Sequence, residues 1–207
     1  MKLLLASNNA KKLTELQRIL DQAGLDGVEL VSLAQAPTYT EPVEDGATFA
    51  DNALIKARAG ATNTGLITIA DDSGLEVDAL NGMPGVLSAR WCGKHGDDQA
   101  NNDLLLAQLA DVPEDRRGAA FVSVCAIVTP DGHEYVEEGR WSGTLLHEPV
   151  GTNGFGYDPL FIPMEESFIE GQDRSSAQLS AEEKDALSHR GRALRALIPA
   201  VQELAEK

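Results

Sequence analysis

Long apolar runs and cysteines are both scarce in this chain of 207 residues. No stretch is apolar over the length that a membrane span requires, and the short run from Leu3 to Ala6 meets polar residues too soon for a secretion signal. We therefore expect a cytoplasmic protein that does not interact with membranes. The two cysteines, Cys92 and Cys125, lack CxxC spacing and a nearby histidine cluster, which indicates neither a disulfide framework nor a zinc site.

Positive charge is also scarce, because 17 Lys and Arg face 33 Asp and Glu and leave a net charge of −16. This balance argues against nonspecific binding to a nucleic-acid backbone. The position of the few cations is then informative, since several lie in polar segments marked by glycine or serine and could build a small anion site. Solvated helix residues are the alternative, which we prefer for Lys11. The cations concerned are Lys11, Lys12, Lys56, Arg90, Lys184 and Arg190.

The centre of the chain is the stretch 66–91, where a short apolar run ends in Asp71 and Asp72. The run has the β-branched character of a buried strand. Side chains alternate along a strand, so the two aspartates should point in opposite directions and only one can serve a given site. A carboxylate at a strand end commonly holds a hard cation or positions a water. The tetrapeptide Asp71–Gly74 also fits a simple turn, which we favour on these four residues alone.

The segment 7–12, SNNAKK, lies between a strand predicted at 2–6 and an amphipathic helix predicted at 11–24. A strand, a short polar loop and a helix present backbone N–H groups and a positive dipole end to phosphate, with lysine in the first turn. The spacing is not that of a Walker loop. A helix cap by Asn8 or Asn9 explains the same residues equally well.

A second strand is predicted at 28–33, and the loop after it contains the acidic pair Glu44 and Asp45 and could deliver a carboxylate to the centre. A helix capped by Thr48 follows and carries Asn52 and Lys56 one turn apart, so both can reach one ligand. An exposed polar helix edge is the alternative. The next helix, predicted at 97–112, contains no obvious chemistry. Two extended runs joined at Asp131 and Gly132 then predict a hairpin with one buried face.

The segment GFGYD, 154–158, places an aromatic residue between glycines. This arrangement lets Phe155 be exposed and stack on a flat ring, from which Asp158 could accept a hydrogen bond. A turn that buries Phe155 is the competing interpretation. Further on, a capping box at Ser180 starts a helix with Lys184 in its first turn. The segment SHRG, 188–191, interrupts that helix and suits a contact to a base or phosphate, with a surface His189 as the ordinary alternative.

Six segments in order resemble the inosine triphosphate pyrophosphatase family, also called noncanonical purine nucleotide pyrophosphatases. The resemblance runs from residue 7 to about 195. It is carried by SNNAKK with Glu15 three residues later, EDGATFADNALIKA, IADDSGLEVDAL, GVLSARW, GFGYDPLF and LSAEEKDALSHRG. It implies an elongated α/β fold of two lobes around a long mixed sheet with flanking helices, a single domain over 1–207 with the active cleft between the lobes, and a homodimer.

The resemblance implies Mg²⁺-dependent hydrolysis of ITP, dITP and XTP to the monophosphate and pyrophosphate. Glu44 and Asp72 would be the metal ligands, and Asp72 would be the proton acceptor with Lys12 and Lys56 as catalytic lysines. Our reasoning on charge leaves Asp71 or Asp72 open as the base. The substrate contacts implied are Ser7, Asn8, Asn9, Ala10, Lys11, Lys12, Asn52, Ser73, Arg90, Phe155, Gly156, Tyr157, Asp158, Lys184, His189 and Arg190.

Two positions depart from the family pattern, Asn8 where glycine is frequent and Gln178 where glutamate is common. A 6-keto purine offers an acceptor at O6 and a donor at N1, so donors of the His189–Arg190 segment would reject ATP. Two other functions are compatible with the sequence: a Maf-like pyrophosphatase for modified pyrimidine nucleotides, and a nucleotide-binding protein without catalysis.

Overall fold

The computed structural model describes residues 1–25, 27–167 and 173–206. Over these residues six strands form one sheet in the order β2-β1-β3-β4-β5-β6. β1 pairs in parallel with β2 and β3, whereas β5 and β6 are antiparallel. The predicted α/β class with a mixed sheet is therefore confirmed. The strands are β1 Lys2–Leu5, β2 Glu29–Ser32, β3 Ile67–Val77, β4 Gly118–Val128, β5 Glu134–Leu145 and β6 Phe161–Pro163.

Helices lie close to the predicted positions, and sequence signals mark their ends. The side chain of Thr48 accepts from the backbone N of Asp51, whose carboxylate accepts from the backbone N of Thr48 in return. The same helix ends at Gly65, which adopts the left-handed conformation with φ +69°. In the described ranges, no helix has the length and apolar character needed to cross a membrane. The helices are α1 Ala10–Gln22, α2 Phe49–Thr64, α3 Asp98–Gln108, α4 Met164–Ser167, α5 Ala181–Leu187 and α6 His189–Ala205.

The chain divides into two compact units, and the boundaries fall inside β3, β4, β5 and the first turn of α6. Unit 1 contains residues 1–72, 123–139 and 190 onward; unit 2 contains 73–122 and 140–189. That the units form one domain around a shared active cleft stays a prediction. Each unit has its own apolar core. Unit 1 buries Leu3, Leu5, Leu16, Ile19, Leu20, Ile69, Ile127, Leu194, Leu197 and Val201, among others, and unit 2 buries Leu75, Leu105, Leu109, Phe121, Trp141, Leu160 and Phe161.

Two predictions about strands are wrong. β3 does not end at Ala70, because the chain stays extended through the two aspartates as far as Val77. The turn that we favoured at Asp71–Gly74 is therefore absent, and the fully buried Leu75 and Val77 are core residues of unit 2. β4 is buried at every position from Ala119 to Val128, so it has no exposed face. A near-continuous apolar run is typical of such a strand.

The predicted hairpin and the helix junction are confirmed. The backbone N of Thr129 donates to the carbonyl of His133 over 3.0 Å, and Gly132 has φ +90° in the turn between β4 and β5. Near the end of the chain, Ser188 is extended with ψ 155° and separates α5 from α6. The sequence signals for these two local features therefore give both their position and their kind.

Candidate active site

The loop before α1 contains a helix cap. The side chain of Asn9 accepts from the backbone N of Lys11 over 2.9 Å, and the hydroxyl of Ser7 accepts from the backbone N of Asn9 over 3.2 Å. Asn8 instead donates its side-chain amide to Glu41. Of the two caps proposed, Asn9 is the one formed. The helix N-terminus of Ala10 and its neighbours remains compatible with phosphate binding.

Lys12 belongs to a buried ionic network in unit 1. Its ammonium lies 2.8 Å from Oδ2 of Asp71, and the same oxygen accepts from Nε of Arg190 over 3.1 Å. Nη1 of Arg190 donates to Oε2 of Glu15 over 3.2 Å. Asp71, Glu15 and Arg190 are all buried. Two cations and two carboxylates therefore balance one another away from solvent, as buried charges require.

This network commits Asp71 to a structural role. Burial raises the pKa of its carboxyl, but attraction by Lys12 and Arg190 outweighs burial and holds the pKa well below its usual range. For Arg190 the effects have the opposite sign. Burial lowers the pKa of its guanidinium, but attraction by Asp71 and Glu15 outweighs burial and raises the pKa above its usual value. A carboxylate so strongly held in its charged form is a poor proton acceptor. Of the two aspartates left open by the sequence, Asp71 is unsuited to act as the base.

Asp72, the next residue of β3, has a different set of partners. Its Oδ2 accepts from the side-chain amide of Asn52 over 2.9 Å, and its Oδ1 lies 3.8 Å from the ammonium of Lys56. Lys56 also lies 2.7 Å from Oε2 of Glu44. The one-turn spacing on α2 thus brings Asn52 and Lys56 to one carboxylate, as the spacing predicts. The backbone N of Gly46 donates to Oδ1 of Asn52 and fixes its amide.

The electrostatics of Asp72 suit a group that exchanges protons. Burial raises the pKa of its carboxyl, Lys56 and Asn52 oppose that shift, and Glu44 adds to it, so that the pKa lies above its usual value. The side chain retains 17% of its exposure, compared with 5% for Asp71. Asp72 is therefore the more accessible and the more basic of the two aspartates.

The donor set around Lys56 fits a magnesium ion. In the part of the chain that the structure describes, no group of three or more His, Cys, Asp or Glu side chains could hold a metal. Mg²⁺, however, is commonly bound through one or two carboxylates together with waters and substrate phosphates. Glu44 and Asp72 already face one cation, the ammonium of Lys56. Each carboxylate thus lies within 4 Å of the same ammonium, and carboxylate oxygens are the protein ligands that Mg²⁺ prefers.

The aromatic loop of unit 2, residues 154–158, exposes one ring and buries another. Phe155 is 44% exposed, so the interpretation that buries it is wrong. Tyr157 is buried, and its hydroxyl donates to the carbonyl of Ser88 over 2.9 Å. The ammonium of Lys184 lies 5.2 Å from the centre of the Phe155 ring, within the range of a cation–π contact.

Asp158 holds this loop from inside. Its carboxylate accepts from the backbone N of Phe155 over 2.8 Å, from the hydroxyl of Ser176 over 2.8 Å, and pairs with Lys184. Gly154 has φ +78°, and a side chain there would collide with the Asp158 carboxylate. Both oxygens of Asp158 thus accept hydrogen bonds from the protein itself. The sequence analysis instead expected Asp158 to accept a hydrogen bond from a base.

The remaining predicted residues of unit 2 differ in exposure. His189 is buried and stacks on Phe121 with ring centres 4.9 Å apart, so the alternative of a surface histidine is wrong. Ser73 is half-buried in β3, and Arg90 is exposed at the end of the 3-10 helix Gly85–Arg90. The predicted residues thus form two sets, one in each unit. Lys12, Glu44, Lys56 and Asp72 lie in unit 1, and the exposed ring of Phe155 lies in unit 2.

Sequence reasoning missed contacts that α3 makes. Asp98 and Asn102, in the helix to which we assigned no chemistry, both bond the backbone of Gly156. Their one-turn spacing matches that of Asn52 and Lys56 and could have singled them out. Sequence reasoning also missed Ser176, whose hydroxyl donates to Asp158. The segment around Ser176 has no distinctive sequence pattern.

The sequence and the fold are both similar to those of known proteins. The sequence profile of the Ham1 family matches residues 3–200. A Corynebacterium efficiens protein named dITP/XTP pyrophosphatase is 83% identical over 205 residues, which cover 99% of each chain. The crystal structure of a nucleoside-triphosphatase, or dITP/XTP pyrophosphatase, from Mycobacterium abscessus is 63% identical with a TM-score of 0.79 and covers 97% of this chain and 100% of that one. The structure of the Staphylococcus aureus Ham1 protein is 36% identical with a TM-score of 0.85, covering 100% of both. The chain therefore belongs to the Ham1 family, which confirms the resemblance inferred from its six motifs.

Proposed function

We propose that the protein hydrolyses noncanonical purine nucleoside triphosphates, namely ITP, dITP and XTP, to the monophosphate and pyrophosphate. The names of the curated relatives support this substrate class. The observation that carries the chemistry is the set of side chains around Asp72, which combines two carboxylates, an ammonium and an amide. Removal of such nucleotides would cleanse the nucleotide pool.

Neutralisation of charge is the first requirement of this reaction. A triphosphate carries roughly four negative charges, and more charge develops on the leaving pyrophosphate as the bond to the α-phosphorus breaks. In unit 1, Lys56, Lys12 and the N-terminus of α1 would neutralise this charge. Lys12 is held at 2.8 Å by Asp71, so its ammonium is oriented before any phosphate arrives.

Glu44 and Asp72 would hold Mg²⁺, which supplies Lewis acidity toward the phosphate oxygens when bound. Asp72 would take the proton of the attacking water at Oδ1, since Oδ2 already accepts from Asn52. The raised pKa of Asp72 makes it a better proton acceptor than an ordinary aspartate. Lys56, shared by both carboxylates, would keep the pair from repelling each other while substrate enters.

Recognition of the base would fall to unit 2. The exposed ring of Phe155 offers a stacking surface, and Lys184 lies over one of its faces. Donors of the His189–Arg190 segment would pair with O6 of a 6-keto purine and leave adenine mismatched. Arg190 uses Nε and Nη1 in the buried network, so its contribution to catalysis would be indirect, through the position of Asp71.

We further propose a cytoplasmic homodimer that binds neither nucleic acid nor membranes. The net charge of −16 supports the absence of nucleic-acid binding, since a phosphate backbone would be repelled. The dimer follows from the family resemblance, and the location is the expectation drawn from the sequence. Light scattering during gel filtration would test the dimer, and a monomeric mass would refute it.

A nucleotide panel tests the activity. With Mg²⁺, purified protein should release pyrophosphate from ITP, dITP and XTP and should act poorly on ATP, and excess EDTA should stop the reaction. Release of orthophosphate would indicate attack at the γ-phosphate instead. Turnover of modified pyrimidine nucleotides alone would favour the Maf-like alternative, and tight ITP binding without turnover would favour a binding protein.

A further inference from the structure

Helix α3 holds the aromatic loop through the backbone N–H and the carbonyl of one residue, Gly156. Oδ2 of Asp98 accepts from the backbone N of Gly156 over 2.7 Å, and the side-chain amide of Asn102 donates to the carbonyl of Gly156 over 2.9 Å. Asp98 and Asn102 are four residues apart and therefore share one face of α3. The two side chains clamp a single glycine from one rigid helix.

The clamped glycine adjoins the exposed ring. Gly156 adopts φ +62°, a conformation that most other residues enter only with strain. On the other side of Phe155, the backbone N of that residue donates to Asp158. Side chains therefore fix the backbone on both sides of Phe155, while its ring remains 44% exposed. Loops that carry a binding side chain need this kind of support to keep it in place.

Asp98 is not the residue that caps α3. The cap of α3 is the preceding residue, Asp97, whose carboxylate accepts from the backbone N of Ala100 over 3.3 Å. Asp98 directs its carboxylate to Gly156 instead. Asn102 is 6% exposed, and its side-chain N–H donates to the carbonyl of Gly156, whereas its Oδ1 has no hydrogen-bond partner among the described residues. Buried polar groups are generally hydrogen-bonded, so the bond to Gly156 is the one that fixes this amide.

We propose that Asp98 and Asn102 are positioning residues that set the place of the Phe155 ring and thereby the affinity for the purine base. This inference rests on the proposed function, because it takes Phe155 as the stacking surface for the base. Neither residue touches the reacting phosphates in this account. Their loss should therefore weaken substrate binding and leave the chemical step intact.

A double-mutant cycle between α3 and the ring tests the proposal. Asp98→Ala should raise KM for ITP about fivefold and leave kcat within about twofold, since a charge-assisted hydrogen bond is lost. In a Phe155→Ala background the same change should raise KM by less than about 1.5-fold, because a residue that acts through Phe155 has nothing left to position. Asn102→Ala should behave in the same way, with thermal unfolding measured for each variant.

Two further variants separate positioning from general damage. Asp98→Asn keeps an acceptor for the Gly156 N–H and should restore KM to within about twofold of the wild type. Asp103→Ala removes a carboxylate from an exposed position of the same helix, where Asp103 accepts from Gln99 one turn away, and should change neither KM nor kcat.

The outcomes distinguish this inference from the proposed function. If Asp98→Ala raises KM equally with and without the Phe155 ring, or lowers kcat as much as it raises KM, the clamp is merely structural and the inference is wrong. If Phe155→Ala raises KM but Asp98→Ala and Asn102→Ala do not, the inference again fails while base stacking stands. If the wild type releases no pyrophosphate from any noncanonical purine nucleotide, the proposed function itself fails.

Discussion

Asp71 and Asp72 are consecutive residues of one strand, yet their surroundings differ in almost every respect. Asp71 is buried against Lys12 and Arg190, and its pKa is lowered in spite of burial. Asp72 keeps part of its exposure, faces Asn52 and Lys56, and has a raised pKa. The difference shows that alternation along a strand can give two like residues opposite surroundings, so that one holds the fold and the other is left for the proposed chemistry.

The largest expected effect comes from Asp72→Asn. The amide cannot accept a proton and is a poor ligand for Mg²⁺, so we expect kcat for ITP to fall by about 1000-fold. The melting temperature should stay within about 3 °C, because burial already disfavours the charge of Asp72. Pyrophosphate release and calorimetry measure the two quantities. An active and stable variant would mean that the wrong aspartate was chosen.

Asp71→Asn, unlike Asp72→Asn, should reduce the stability of the fold. Removal of this charge leaves Lys12 and Arg190 in a buried site with Glu15 as the remaining carboxylate of the network, so we expect the free energy of unfolding to fall by about 3–5 kcal/mol. Urea denaturation of metal-free protein measures this loss, with Asp72→Asn as the matched control. Equal stability of the two variants would refute the division of roles.

The pH dependence of stability sharpens the same comparison. The pKa of Asp71 is lowered in the folded protein, so its stabilising contribution is complete above the unfolded value near 3.8 and is lost as the pH falls toward the folded value. The stability gap between wild type and Asp71→Asn should therefore narrow as the pH falls below about 4. Denaturation in EDTA at several pH values measures the gap; a gap that stays constant down to pH 2 would contradict it.

Local features of this fold could be predicted from the sequence because nearby residues determine them. Thr48 and Asp51 form a capping box, and Gly65 ends α2 with a positive φ. The exposure of Phe155 follows from the glycines on either side. Asn52 and Lys56 lie on one side of α2 because a helix brings residues four apart to one face. In each case the signal and the structure it specifies lie within a few residues.

The features that sequence reasoning missed depend on long-range packing. β3 continues beyond Asp72 because Leu75 and Val77 join the core of unit 2, and nothing in the short apolar run before them indicates this. Arg190 meets Asp71 across 119 residues and Glu15 across 175. A single sequence cannot pair residues so far apart, because neither residue carries a local signal for its partner.

The sequence separation between Arg190 and its partners also sets the order in which the two units are completed during synthesis. Unit 2 is complete in sequence at residue 189, whereas unit 1 needs the helix that begins there and continues through Arg190. A ribosome thus delivers every part of unit 2 before the guanidinium that balances Asp71 and Glu15 has emerged. A growing chain carries those two acids without their guanidinium, so unit 1 is the later of the two units to be completed.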